Sequence, residues 1–269
     1  MSIIYINPYQ FAAFDPDALT YINAVETADG QALETGVRIA INDFVLGCKQ
    51  DGIWNAIKAS CIMAGARTLS GALVPLVGTA PTNFNFVSGD YDRETGLVGD
   101  ASTKYLITNF LSNGTPLNSV HLSAYASSAS SYGSGSFLYP TFVGTGGDSD
   151  AQTIGVSSIG SNSIYARSRS SSFVTFGAGS ANATGFVGTS RSNSSSIVIR
   201  ASNSTLSFLL NSSGALNEAY GVFRNGAFET AQSYSNARLS FYSIGESLDL
   251  ALLDTRVSNL ITAIGAAIP

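Results

Sequence analysis

The sequence predicts an α+β protein that is mainly β: an antiparallel β-sandwich preceded by a helical subdomain and followed by one helix. Three observations predict it. From Asp15 to about Val77, apolar side chains recur at spacings of three and four. From about Pro81, short alternating apolar runs are separated by Gly, Ser and Asn clusters. Near the C-terminus the helical spacing returns. These regimes divide the chain into an N-terminal arm and helical subdomain (1–80), a sandwich (81–245), and a C-terminal helix (246–269) that packs on the rest or at an oligomer interface.

Asp15 is a candidate N-cap and Pro16 suits the first helical position of a helix through DALTYINAVETA, broken at Asp29-Gly30. In QALETGVRIAINDFVLGCKQDG, Leu33, Val37, Ala40, Ile41, Phe44 and Cys48 form one helical stripe. A further helix is predicted over IWNAIKASCIMA, which holds the only tryptophan, Trp54, and Leu69 to Val77 reads as a short helix or extended connection. Ten strands are then predicted, from TKYLITNF and SVHLSAYAS to EAYGVFRN and RLSFYSIG. Asn225-Gly226 and Asn113-Gly114 are the two hairpin signals, because both residue types tolerate positive φ. The last helix carries Leu250, Leu253, Val257, Leu260, Ile261 and Ile264 on one stripe.

Charged residues make up 12% of the chain, about half the usual share. Ser, Thr, Asn and Gly supply the polarity, which suits a packed assembly or a surface that meets polymers through hydrogen bonds. With a net charge of -5 and no Lys/Arg run, nucleic-acid binding is not expected. Arg167, Arg169 and Arg191 read as surface spacers among serines. Cys48 and Cys61 read as reduced core residues. The opening MSIIYINPYQFAAFDPDA shows no basic n-region or cleavage site, so no secretory signal is expected. No apolar run reaches membrane-spanning length, so no membrane insertion is expected.

Gly89 to Leu106, GDYDRETGLVGDASTKYL, concentrates acidic residues. The favoured reading is a polar turn that feeds a strand. Calcium binding by Asp90, Asp92 and Asp100 is the alternative, since hard cations want clustered oxygen ligands, and calcium is the one cofactor considered. A carboxylate-pair hydrolase through Asp90 and Asp92 comes last. Asp148 and Asp150 lie in a Gly-rich loop that lacks the EF-hand closing Glu. His121, the only histidine, reads as a surface or half-buried strand residue without a triad or zinc ligand set around it. The aromatics among Ser, Gly and Asn are the better lead. Tyr125, Tyr132, Tyr139 and Tyr165 are the candidate binding residues, with Phe137, Phe142, Phe173 and Phe176 in the same stretches. The competing reading for each is sandwich core.

GLVGDASTKYLIT, VHLSAYAS, AYGVFRNGAF, and FYSIGE followed by LLDTRVSNL resemble, in that order, segments of the laminin-G/concanavalin-like jelly-roll family. That resemblance implies a jelly roll that binds carbohydrate or protein, in some members through calcium; no calcium ligand carries over to a residue here. DGQALETGVRIAINDFVLGCKQDGIWNAIKASCIMAGARTL and FYSIGESLDLALLDTRVSNLITAI resemble stretches of tailed-bacteriophage virion structural proteins. The implied protein is a non-enzymatic, tail- or fibre-associated virion component that binds the host surface, glycan or protein, and contacts other virion proteins. The runner-up is a head or collar decoration protein; a glycan-degrading enzyme is third, because no acid/base constellation is visible. A homo-oligomer is the expected assembly.

Overall fold

The computed structural model describes residues 14–129, 140–146, 149–157, 163–177, 183–226 and 233–269. Helix α1 (Pro16–Asp29) starts where the Asp15 carboxylate accepts the Asp17 N–H and stops at Gly30, whose φ of 65° is left-handed. Helix α2 (Thr35–Gln50) buries Val37, Ala40, Ile41, Phe44 and Cys48, the predicted stripe. The helix predicted next does not form. A 3₁₀ turn, Trp54–Ala56, leads instead into strand β1 (Ile57–Ile62). A short apolar run does not distinguish helix from buried strand by its pattern, and here the edge of a distant strand supplies the backbone partner. A four-residue helix α3 (Leu69–Ala72) follows, capped by Thr68.

The sandwich strands are β2 (Thr82–Phe84), β3 (Tyr91–Asp92), β4 (Gly96–Val98), β5 (Tyr105–Leu111), β6 (Val120–Ser128), β7 (Thr141–Gly144), β8 (Gln152–Ser157) and β9 (Ser163–Ser168). They continue as β10 (Val174–Phe176), β11 (Gly185–Arg191), β12 (Ser196–Ala201), β13 (Ser204–Leu209), β14 (Ala219–Val222) and β15 (Arg238–Gly245), before helix α4 (Leu250–Ala267). Among the described residues they form two sheets. One has eight strands in the order β13-β12-β11-β6-β15-β4-β3, with β1 also on β15; the other has seven, β10-β9-β8-β7-β14-β5-β2. All pairings between named strands are antiparallel. The fold is therefore the predicted sandwich with helices before and after it, but the 1–80 segment contributes a strand to the larger sheet.

One hairpin signal fails, and the other runs out of the described residues. Asn113-Gly114 lies in a 3₁₀ turn between β5 and β6, which belong to different sheets. Asn225 makes an isolated bridge to Gly144, and the return strand predicted after Gly226 lies outside the described residues. An Asn-Gly pair lowers the cost of a tight reversal; what the chain pairs with afterwards is set by burial.

Two cores result. Between the sheets lie Leu106, Leu122, Ala124, Phe142, Ile154, Ile164, Val187, Ile199, Tyr242 and Ile244. On the far side of the larger sheet, the stripes of α1, α2 and α4 pack with Ile62, Phe186 and Phe241. Phe44 meets Phe241 edge-on at 5.7 Å. Ion pairs fasten this helix layer. Asp254 on α4 takes the Arg200 Nε of β12 at 2.7 Å, and Asp51 receives Arg256 of α4 at 2.7 and 2.9 Å. Among the described residues no helix is long and apolar enough to cross a membrane.

Arg169 and Arg191 are fully buried rather than surface spacers, and Arg167 is half-buried. The Arg169 guanidinium donates to the Ser112, Thr115 and Pro116 carbonyls and to the Thr115 hydroxyl. Arg191 donates to the Ser168 carbonyl through Nε at 2.9 Å and Nη2 at 2.7 Å. Burial, aided by the nearby Arg169 charge, lowers the Arg191 guanidinium to about 10. Serine-rich turns here supply carbonyls, not exposure.

Removing one member of the Arg200–Asp254 pair leaves the other charge poorly hydrated, since their side chains are only 13% and 6% exposed. Asp254→Ala is expected to cost about 3 kcal/mol of stability, against about 1 kcal/mol for removing the exposed α4 cap by Asp249→Ala. Urea unfolding of both variants checks this; equal losses would refute it.

Candidate functional site

The acidic stretch resolves into local turns. After a 3₁₀ turn (Ser88–Asp90), β3 and β4 make a small hairpin, and residues 99–104 cross to the other sheet. The Asp92 carboxylate accepts the Glu94 and Thr95 N–H groups and the Thr95 hydroxyl. Asp100 accepts the N–H groups of Ser102, Thr103 and Lys104 and the Thr103 hydroxyl. Burial raises the Asp100 carboxyl, but these donors outweigh it and hold it at about 2. Asp90 pairs with the Lys104 ammonium. Each carboxylate closes its own turn. Among the described residues, no group of three His, Cys, Asp or Glu is placed to hold a metal ion. The effect of the stretch is to fix Lys104 and so set the entry of Tyr105 into β5.

Tyr105 belongs to an aromatic cluster that the sequence did not single out. Its ring stacks on Phe84 at 4.4 Å and 7°, and the Arg224 guanidinium lies 4.2 Å over the ring centre. Tyr234 meets Tyr105 edge-on at 6.0 Å, and its hydroxyl accepts from Arg224 at 3.2 Å. Cross-strand pairing of Phe84 with Tyr105 creates the stack. Arg224 is 4% exposed, so its guanidinium is largely withdrawn from water beneath the rings.

The candidate tyrosines separate. Tyr125 is half-buried beneath the helix layer, where burial and then the Asp254 charge raise its hydroxyl. Tyr165 is buried against the exposed Phe173 at 5.1 Å. Tyr132 and Tyr139, with Phe137 and Asp148, lie outside the described residues. Phe142 and Phe176 are buried core residues. Asp150 is described, with φ 61°.

Trp54 lies in a groove of about 490 Å³. Asp17 and Thr20 of α1 line one wall; Asn55 and Lys58 follow Trp54 along the chain; Val77 and Gly78 close the far side. The far wall exists because Val77 bridges to Ser60 of β1, with Ser60 N–H donating to the Val77 carbonyl at 3.0 Å. Gly78 has φ 87° and sits against the Lys58 carbonyl, where a Cβ would come within 2.6 Å. The Lys49 ammonium stands 5.7 Å from the Trp54 ring centre. Lys49 is itself ion-paired to Asp15 and Asp17 at 2.7 and 2.6 Å, bonds that raise the ammonium and lower the Asp15 carboxyl. Lys58 pairs with Glu246 at 3.0 Å. The groove thus offers an indole, a hydroxyl, an amide and a carboxylate, with both lysines neutralised by acids. The lone tryptophan was the signal available in the sequence, but its predicted helix would not have made this groove.

The histidine is fully buried, not half-exposed. Nδ1 lies 2.6 Å from the Glu246 carbonyl and must donate to it; Nε2 then accepts the Ser243 hydroxyl at 2.9 Å, and the Ser123 hydroxyl lies 2.8 Å from Ser243. Burial lowers the imidazole to about 4, against which the Glu246 contact works weakly. Cys48 and Cys61 are free and buried, and burial pushes both thiols up to about 12.

No family model and no curated protein matches the sequence. The structure is similar to the receptor-binding domain of botulinum neurotoxin C/D mosaic serotype, with TM-score 0.50, 8% identity, and coverage of 76% of this chain and 51% of that one. The fold is a jelly roll. The binding domain of botulinum neurotoxin serotype D gives TM-score 0.48 at 8% identity, covering 76% and 50%. Domain 4 of AbnA, a GH43 extracellular arabinanase from Geobacillus stearothermophilus, in complex with arabinotriose, gives 0.38 at 12%, covering 67% and 82%. This chain spans about half the length of the toxin domains, and at 8% identity the first likeness speaks to the fold alone.

His121 makes stability pH-dependent. The unfolded chain binds a proton below about 6.5 and the folded chain only below about 4, so the neutral form's stability is whole above 6.5 and is lost as pH falls toward 4. The loss over that window is about 3 kcal/mol. Denaturant titrations at several pH values should show this slope flattened in His121→Gln; an unchanged slope would refute it.

Proposed function

We propose that this protein is a non-catalytic recognition module that binds neutral carbohydrate through the Trp54 groove. The observation that carries the reading is a half-buried indole in an open groove of about 490 Å³, beside Asp17, Thr20 and Asn55. An aromatic face complements the C–H face of a sugar ring, and nearby amide, hydroxyl and carboxylate groups complement its hydroxyls. Pairing of Lys49 and Lys58 with acids favours an uncharged ligand over an anionic one. The botulinum neurotoxin domain with the same fold is a receptor-binding domain, which makes recognition of a surface one of the tasks this sandwich can carry. The absence of catalysis is supported by a histidine sealed in the core and by Asp90, Asp92 and Asp100 being spent on turns.

We propose further that the module is carried on a phage virion, associated with the tail or fibre, and meets the host surface there. The support is the resemblance of two long segments, Asp29 to Leu69 and Phe241 to Ile264, to tailed-phage structural proteins. The alternative, a head or collar decoration protein acting through protein contacts, is favoured by one observation: Leu206 and Leu209 stand 52% and 89% exposed on an uncharged strand.

The chain's one tryptophan makes the test direct. Purified protein is titrated with neutral polysaccharides and with intact bacterial cells, with calcium and with chelator, while tryptophan fluorescence is followed. Saturable binding with a change in Trp54 emission is expected, and Trp54→Ala should weaken binding at least about tenfold. Binding that Trp54→Ala leaves intact would move the site elsewhere. Binding to phage particles but to no glycan or cell would favour the decoration role.

A further inference from the structure

We propose that β13 pairs edge-to-edge with the β13 of a second copy, joining the two eight-stranded sheets across a two-fold axis at Ser207. Among the described residues β13 pairs with β12 alone, and its other edge ends the sheet. Proteins usually blunt such an edge with a charge, a proline or a bulge. Here the β12–β13 register runs unbroken from Ser196↔Leu209 to Ala201↔Ser204, and residues 201–217 contain no charged residue and no proline. Two copies can therefore approach without like-charge repulsion, although the chain's net charge is -5.

The register of the contact follows from the hydrogen-bond alternation. Leu210 N–H donates to the Ser195 carbonyl at 2.9 Å, continuing the ladder past its last residue pair. Residues of that parity, Phe208, Leu206 and Ser204, use their backbone groups on β12, so those of Thr205, Ser207 and Leu209 point to the open edge. A two-fold axis perpendicular to the sheet keeps each face on its own side. Centred on Ser207, it sets Ser207 opposite Ser207, and Thr205 opposite Leu209, as hydrogen-bonded pairs. The same register places Leu206 opposite Phe208 on the inter-sheet side. Each outward N–H and C=O then finds a partner, and both exposed leucines gain cross-strand neighbours. A strand-edge contact is small, which points to a dimer in the micromolar range.

The full-length chain should show concentration-dependent dimerisation in sedimentation equilibrium, weakened about tenfold by Leu209→Lys. Cysteine cross-linking with oxidised glutathione tests the register. In Ser207→Cys the facing Cα atoms would be about 5.5 Å apart, within disulfide reach, whereas in Thr205→Cys identical residues would be about 13 Å apart. Ser207→Cys should give a disulfide dimer and Thr205→Cys should not; native Cys48 and Cys61 are buried and do not compete. A wild-type chain that stays monomeric at about 100 μM, or a dimer unaffected by Leu209→Lys, would overturn the proposal. So would a dimer whose Ser207→Cys form does not cross-link, or equal cross-linking by Thr205→Cys. Because the proposed sugar binding uses Trp54, in the turn before β1 and beside α1, a failure here leaves that site untouched, and the reverse holds.

Discussion

Strand β15 is the constraint on which the rest of the molecule depends. One of its edges pairs with β6 along its whole length. The other is divided: β4 takes Arg238 and Leu239, and β1 takes Phe241 to Gly245. Its side chains face two cores, Leu239, Tyr242 and Ile244 between the sheets and Phe241 beneath the helices. One eight-residue segment near the C-terminus thus binds the N-terminal region to the sandwich and the sandwich to the helix layer. Gly245 is part of this arrangement, since a Cβ there would run into the Ala56 carbonyl as β1 begins.

A sheet buried on both faces has to satisfy whatever polar groups it encloses. His121, Ser123 and Ser243 do so with one another and with the Glu246 carbonyl, and the Arg200–Asp254 pair does so at the α4 seam. At the Arg169 and Arg191 end of the molecule the solution is different. Two guanidiniums gather carbonyls from turns attached to both sheets, and none of the hydrogen bonds described above ends on a carboxylate. The many-donor geometry of Arg suits this task, because carbonyls that sheet pairing leaves over need N–H donors more than they need a charge. The serine-rich turns can therefore be buried without orphaning their backbone.

The same constraint positions the Trp54 groove. Because residues 57–62 leave the helix layer to pair with β15, Trp54 is held at the turn before β1, and α1 passes on its other side. Had Ile53 to Ala64 continued as helix, Val77 would have had no strand to bridge and the far wall would be missing. A strand in place of the predicted helix thus creates the groove. The acidic crossover is similar in kind: Asp90 and Asp100 hold Lys104, and through it they set the course of the strand that carries Tyr105.

Local chemistry determined much by itself. The caps and stripes of α1, α2 and α4 follow from Asp15, Gly30, Asp249 and the spacing of apolar residues, because a helix satisfies its backbone within one segment. The extended runs of β5, β6, β8, β9, β12, β13 and β15 were legible for a similar reason: short apolar, aromatic and β-branched runs bounded by Gly, Ser and Asn mark strands locally. Tertiary structure alone decided the remainder. Whether 57–62 became strand, whether Asn113-Gly114 closed a hairpin, and whether His121, Arg169 and Arg191 faced water all depended on which distant backbone or carbonyl arrived beside them. A strand's hydrogen bonds, unlike a helix's, are completed by residues far along the chain, so no local window contains the partner. The Trp54 groove was hidden for that reason: its walls are 60 residues apart in sequence and are brought together by pairing that no motif encodes.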